Sequence, residues 1–297
     1  MKIIIIGSKG FIGSHCVQYF SQRQEVWECD VVPDYANDKY FVVDATNADY
    51  SELFQTQKFD VCINCSGAAS VSDSLVHLHR DFQLNTVNVF KMLDALRRFN
   101  PTCKFLNLSS AAVYGNSITL PVKENQPLRP MSPYGFHKKQ TEEICQEFYQ
   151  LFGMKVCSLR IFSAYGRGLK KQILWDLSQK IKKSKELVLF GTGDESRDFI
   201  HVFDLVRQID LIISNANFMS EIINSANGIE IRIKDIVAEF VKQINWNGKV
   251  IFKGTTREGD PLNWVADMSI LKGFGYIQHI TIETGIKDYI KWLKENE

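Results

Sequence analysis

Met1-Lys2-Ile3-Ile4-Ile5-Ile6-Gly7-Ser8-Lys9-Gly10-Phe11-Ile12-Gly13 is the stretch whose reading decides the fold. Ile3 to Ile6 is an unbroken β-branched run, the composition of a short strand covered on both faces. Gly7, Gly10 and Gly13 follow as G-x-x-G-x-x-G and lead into a helix-period segment that reaches Gln22. Strand, glycine turn and helix in that order make a pyrophosphate site. Glycine permits the tight turn, backbone N–H groups approach the phosphates, and the helix offers its positive end.

The same alternation continues outward. Glu25 to Val32, Lys39 to Val43, Asp60 to Cys65, Cys103 to Leu108 and Lys155 to Arg160 read as further strands. Helix-period stretches lie between them at Tyr50 to Gln57, Phe82 to Phe99 and Tyr134 to Phe152, the last ended by Gly153. Six apolar strands joined by helices predict an α/β fold, a doubly wound parallel sheet covered on both faces. After Arg160 the segments shorten and carry Gly-Thr-Gly, Asn-Gly and Gly-Asp-Pro turns, the mark of a smaller mixed α/β lobe. The expected division is 1–162 for dinucleotide and 163–297 mainly for substrate, partly interleaved.

Composition removes other classes. Of 297 residues, 45% are hydrophobic and 23% charged, so disordered, collagen-like and coiled-coil chains fit poorly. Thirty-five Lys and Arg against 34 Asp and Glu leave a formal charge of +1, with no global field for nucleic acid or an anionic membrane. An anionic ligand must be held locally. The apolar run at the start is too short for a signal peptide or a membrane span, and the expected location is cytoplasmic. Seven scattered cysteines lack the spacing of a disulfide framework. Cys62 and Cys65 form C-x-x-C, but inside an apolar strand and with no second pair to complete a metal site, so no metal is expected.

Two groups of residues carry chemistry. Asp30 ends the second strand, seventeen residues past Gly13, where a carboxylate accepts bonds from an adenosine ribose and repels a 2′-phosphate; NAD is favoured over NADP. Tyr134 and Lys138 stand four apart on one helix and share a face. A phenol with its pKa near 10 is a poor base at neutral pH, and a neighbouring ammonium is expected to lower it. Ser110, at the end of the fifth strand, adds a hydroxyl. His137 lies inside the tyrosine motif at a position read as facing away from that pair, and is taken as structural.

The glycine start, Ser109-Ser110-Ala111-Ala112-Val113-Tyr114-Gly115, Tyr134-x-x-x-Lys138, Gly191-Thr192-Gly193-Asp194-Glu195-Ser196-Arg197-Asp198-Phe199-Ile200-His201-Val202 and Arg257-Glu258-Gly259-Asp260-Pro261 together resemble the extended short-chain dehydrogenase/reductases, in particular the NAD-dependent nucleotide-sugar epimerase/dehydratase family. The resemblance implies a Rossmann domain with Ser110, Tyr134 and Lys138 catalytic. It implies that Phe11 and Ile12 cover the pyrophosphate and that Asp44 with Ala45 flanks the adenine. Cys65, Ser66 and Gly67 would line the cofactor, with Asn85 holding the following helix. Arg197 and Arg257 would clamp the substrate's diphosphate and Asp260 its ribose. Forked guanidinium donors suit phosphate oxygens in a chain with almost no net charge.

The reaction follows from what the chain has beside Ser110. Dehydratases of the group carry Asp-Glu directly after the catalytic Ser or Thr, and this chain has Ala111-Ala112, whose methyl groups move no protons. Hydride chemistry at carbon 4 of a nucleotide-activated hexose remains. A 4-epimerase is the leading expectation, a 4-keto-6-deoxysugar reductase the alternative, and a 4,6-dehydratase or a non-catalytic dinucleotide sensor comes behind both. Ser163 stands where many epimerases have an Asn contacting substrate, and the segment from Gly166 to Gly191 is shorter than theirs. Both departures leave the sugar open. The helices at 82–99 and 134–152 have apolar faces, and the resemblance implies that they pack as a four-helix bundle between two subunits, an isologous contact that makes a homodimer.

Overall fold

β-branched and aromatic residues pack into the middle of a seven-stranded sheet, and the computed structural model describes it over residues 1–117, 119–255 and 261–296. In chain order the first half runs β1 (Lys2–Ile6), α1 (Phe11–Phe20), β2 (Glu25–Asp30), β3 (Tyr40–Val42), α2 (Ser51–Thr56), β4 (Val61–Asn64), α3 (Val71–Val76) and α4 (Leu78–Phe82). A π-helical turn, Gln83–Val87, leads into α5 (Asn88–Phe99), followed by β5 (Lys104–Ser110), a 3-10 turn (Ala111–Val113), α6 (Pro133–Phe152) and β6 (Val156–Ile161). The second half has β7 (Ser163–Tyr165), α7 (Gln172–Ile181), β8 (Glu186–Leu189), β9 (Ser196–His201), α8 (Val202–Asn215), β10 (Met219–Ser225), β11 (Glu230–Arg232), α9 (Ile233–Ile244), β12 (Lys249–Phe252), α10 (Ser269–Gly273) and α11 (Ile282–Asn296).

The large sheet is parallel throughout, in the order β10-β6-β5-β4-β1-β2-β3. Chain direction across the sheet reverses between β1 and β4, and the crevice above that point is where open α/β sheets bind ligands. Helices cover both faces. Cys16 and Phe20 of α1 pack with Leu205, Ile209 and Ile212 of α8 on one side. Leu53, Met92, Leu96 and Phe148 from α2, α5 and α6 fill the other. A separate core joins α7, α9 and α11 around Leu177, Phe240 and Tyr289. It backs two small sheets, β11-β9-β7 and β12-β8.

Two expectations about the sheet and its helices change. The single helix expected from Phe82 to Phe99 is α4, a π turn and α5. A π turn adds a residue to the ladder without altering the apolar content, so periodicity does not reveal it; here the Asn85 carbonyl accepts from Thr141 Oγ1 at 2.7 Å. The sheet also has a seventh strand, β10, contributed by the second half and paired with β6. Its sequence, Met-Ser-Glu-Ile-Ile-Asn-Ser, is too polar to announce a strand, and its partner lies sixty residues away. All seven cysteines are free. Among the described residues no helix is long and apolar enough to cross a membrane, and no group of His, Cys, Asp and Glu could hold a metal ion.

Candidate active site

The glycine turn is shaped by close approach. Gly7 has φ +81°, and a Cβ there would lie 2.7 Å from the Ser66 amide nitrogen; one on Gly13 would lie 2.0 Å from the Gly7 carbonyl oxygen. Gly10 caps α1 and no side chain accepts from its first turn, which also carries no acid. The free N–H groups and the positive helix end are therefore open to an anion. Phe11 and Ile12 are the first helical residues and half-buried. Asp30 ends β2 and fastens the turn: one carboxylate oxygen accepts from Lys9 N at 2.9 Å, the other from Val31 N at 2.7 Å and Val32 N at 3.2 Å. The Lys9 ammonium is itself held by Asp34 at 2.7 Å and Glu28 at 3.3 Å.

Past β4, Ser66 donates to Asn64 Oδ1 at 2.6 Å, and Cys65 and Ser66 are half-buried beside the exposed Gly67. A Cβ on Gly67 would fall 2.5 Å from Asn85 Oδ1 and 3.6 Å from Lys138 Nζ. The π turn brings Asn85 to this place, and both polar atoms of its buried amide lack a hydrogen-bond partner among the described residues. Asp44 and Ala45 are exposed after β3; Asp44 Oδ1 is engaged by Thr46 N, Thr46 Oγ1 and Asn47 N.

Ser110 ends β5, its hydroxyl accepting from Ala112 N at 3.2 Å, and α6 starts beside it. Ser132 caps α6 by accepting from Gly135 N at 3.2 Å, with Pro133 in the first turn. Ser74 accepts from Tyr134 N, also at 3.2 Å. The Tyr134 phenol is almost fully buried, and the Ser110 side chain beside it favours its ionised form. Lys138 is buried, donates to the Leu108 carbonyl at 2.9 Å and holds its ammonium 5.9 Å from the centre of the Tyr134 ring.

The expected lowering of the phenol is not what this packing produces. Burial pushes Tyr134 up to about 12; the Ser110 side chain opposes this and the Asp81 carboxylate adds to it. Lys138 is pulled down to about 8 by burial, against the charges of Asp81 and Glu142. The ammonium is bonded to a backbone carbonyl rather than to the phenol, and desolvation acts on both groups at once.

Below the pair lies a buried polar network. Arg160 donates to Glu142 at 2.9 and 2.7 Å, Ser109 donates to Glu142 at 2.5 Å, and Arg160 also reaches Tyr114 Oη at 2.8 Å. Tyr114 Oη in turn donates to Asn224 Oδ1 on β10 at 2.7 Å. Sequence reasoning passed over Glu142, although it stands one helical turn after Lys138. His137 does not face away as expected: a residue three after Tyr134 stays on the same side of the helix, and its Nδ1 lies 2.5 Å from Asp81 Oδ1.

On the substrate side, Ser163 is half-buried at the start of β7, paired in register with Phe199. Arg197 on β9 donates to the Ser196 carbonyl at 2.8 Å and the Leu262 carbonyl at 3.2 Å, with its guanidinium 5.5 Å from the Trp264 ring. Arg257 and Asp260 lie outside the described residues.

Residues 3–226 match the family described as the NAD dependent epimerase/dehydratase family. The chain belongs to that family. Similar proteins of comparable length support the membership. A putative UDP-glucose 4-epimerase of Methanocaldococcus jannaschii is 26% identical over 305 residues, covering 99% of each chain. A UDP-glucuronate 4-epimerase of Thermodesulfobacterium geofontis is 25% identical, covering 91% of this chain and 84% of that one. Among solved structures, a Bacillus cereus UDP-glucuronic acid 4-epimerase in complex with UDP-glucuronic acid and NAD superposes with a TM-score of 0.89 at 24% identity, over 99% of both chains. The family's dinucleotide fits the residues present: a glycine cradle that a Cβ would fill, an uncapped helix end, and an orphaned Asn85 amide beside Lys138.

Proposed function

We propose that the protein is an NAD-dependent nucleotide-sugar 4-epimerase acting on a UDP-hexose, with Ser110, Tyr134 and Lys138 as its catalytic residues. The observation that carries this is the convergence of the three side chains at the carboxyl ends of β4 and β5, next to the glycine turn. NAD, when bound, supplies the acceptor and donor of hydride at carbon 4. Tyr134 takes the proton from the carbon 4 hydroxyl and returns it after the sugar presents its other face. Ser110 orients the phenol and the sugar oxygen. Lys138 supplies positive charge to a phenol that its surroundings, burial foremost, raise to about 12, where it is a poor base at neutral pH.

Ala111 and Ala112 beside Ser110 are buried and apolar, so the acid and base that a dehydration needs are missing there. Gly7, Gly10, Phe11, Ile12, Gly13, Cys65, Ser66, Gly67 and Asn85 would hold the dinucleotide, and Asp44 with Ala45 would border its adenine. Carboxylates of Glu28, Asp30 and Asp34 outnumber the single Lys9 at the end of β2, which favours NAD over NADP. Ser163, Arg197, Arg257 and Asp260 are assigned to the sugar nucleotide. The exposed Phe90, Phe136, Leu151 and Phe152 on α5 and α6 are assigned to a homodimer contact, and the seven free thiols suit the reducing cytoplasm. Lobes at 1–162 and 163–297 divide the labour, with β10 returning to the first.

The test is incubation of the NAD-loaded enzyme with UDP-glucose, UDP-glucuronic acid and UDP-N-acetylglucosamine, scoring the carbon 4 epimer. Tyr134→Phe should cost ~10²- to 10⁴-fold in turnover without lowering the thermal midpoint. If Tyr134→Phe keeps more than about a tenth of the activity, another group moves the proton. Light scattering should give twice the 34.1 kDa chain mass.

A further inference from the structure

A buried ammonium needs a compensating charge. Lys138 lies on α6 one turn before Glu142, the obvious candidate, but both oxygens of that carboxylate are taken by Arg160 and one also by Ser109. Arg160 and Glu142 neutralise each other. The other buried acid here is Asp81 of α4, 1% exposed, which has no cationic Lys or Arg partner among the described residues. One of its oxygens meets His137 Nδ1 at 2.5 Å and the other has no hydrogen-bond partner among the described residues.

His137 adjoins Lys138 in the chain and is held firmly. Its carbonyl accepts from Thr141 Oγ1 at 2.7 Å and Thr86 Oγ1 at 3.3 Å, and its ring meets Phe82 edge-on at 5.3 Å. The other ionisable groups of α3, α4 and the residue between them lie at the surface: Arg80 pairs with Asp73 at 3.1 Å, His77 lies 3.9 Å from the same acid, and His79 is exposed. Lys138 also faces the Cys65 and Cys145 thiols and the Tyr134 ring.

We propose that Asp81, clamped by His137, is a positioning residue for the Tyr134–Lys138 pair: its buried carboxylate favours the ammonium of Lys138 and so sets the pH range of the reaction. The inference rests on the reading of Tyr134 as the proton carrier. Its electrostatic side agrees with the geometry, since Asp81 is the foremost charge opposing the fall of Lys138 and also raises Tyr134. Asp81 acts on both groups, so removing its negative charge lowers both values together. A purely structural contact would change the amount of folded enzyme and leave the pH range where it was.

The experiment uses the NAD holoenzyme. Phenolate absorbance is titrated with pH, and the Tyr134 contribution is isolated by subtracting the Tyr134→Phe protein; the titration is repeated on Asp81→Asn. The midpoint should fall by about half a pH unit or more. The kcat/KM profile for carbon 4 inversion of UDP-glucose should move the same way on both limbs. His137→Arg, which neutralises Asp81 without removing it, should shift the profile in the same direction and decides the matter if Asp81→Asn does not fold. Unmoved midpoints in either folded variant overturn the inference, as does failure of both variants to fold, which would make the pair structural. An active Tyr134→Phe overturns the proton-carrier reading and this inference with it. An inactive Tyr134→Phe beside an unmoved Asp81→Asn overturns the inference alone.

Discussion

Gly135→Ala sets two effects of opposite sign against each other next to Tyr134, the proposed proton carrier. In an ordinary helix interior the change would stabilise by about 1 kcal/mol, because glycine has more backbone freedom to lose. Here α6 lies against the 3-10 turn after Ser110, and the new methyl would sit 2.7 Å from the Ala112 carbonyl oxygen and 3.0 Å from Pro130 Cβ. Ordinary contact begins at 3.4 Å, so the helix start and the turn must part by about 0.7 Å, an overpacking that costs about 1–3 kcal/mol. The closest clash is with backbone, which cannot rotate away, so the net effect should be a loss of up to about 2 kcal/mol. The parting moves Tyr134 relative to Ser110. Misplacement on the scale of 1 Å costs about 10²-fold in rate, so turnover should fall roughly 10- to 100-fold with KM little changed. Urea unfolding and initial rates on the variant test both halves. A variant more stable than the unaltered enzyme, with turnover within about twofold of it, would refute the claim that this contact sets the spacing of the pair.

Arg160→Met leaves Glu142 charged and buried, and should cost about 3–5 kcal/mol in urea unfolding, while adding Glu142→Leu should recover a large part of it; equal losses in the single and double variants would contradict this. Asp30→Ala should weaken both dinucleotides by loosening the turn that accepts from Lys9, and should narrow the preference for NAD over NADP by calorimetry; an unchanged ratio counts against a specificity role. His201 is fully buried and burial lowers it from 6.5 to about 4. Its folded value lies below its unfolded one, so its contribution to stability is present at neutral pH and is lost as pH falls from 6.5 through 4. Between pH 7.5 and 5 the loss should be about 2 kcal/mol, smaller in His201→Gln, as read from denaturant midpoints at the two pH values.

The parallel strands of the first half and the glycine turn were legible because each is local. A run such as Ile3 to Ile6 buries both faces whatever surrounds it, and glycines at fixed offsets between a strand and a helix permit few backbone paths. Tyr134 and Lys138 were legible for the same reason, since four residues along a helix bring side chains to one face. Asp81 with His137, and Arg160 with Tyr114, were not legible, because their partners meet across different elements and no spacing records the meeting.

Periodicity and residue chemistry over a few turns of chain already carried the strand and helix alphabet of the first half, the dinucleotide turn and the pairing of Tyr134 with Lys138 on one helix. Tertiary structure alone decided which charges those groups feel. Packing α4 and α6 together removes water from Tyr134 and Lys138, and that desolvation raises the phenol and lowers the ammonium where spacing alone predicted a lowered phenol. It also recruited β10 from the second half and opened the π turn that carries Asn85, because an exposed sheet edge and a buried carbonyl must find partners wherever the chain can supply them.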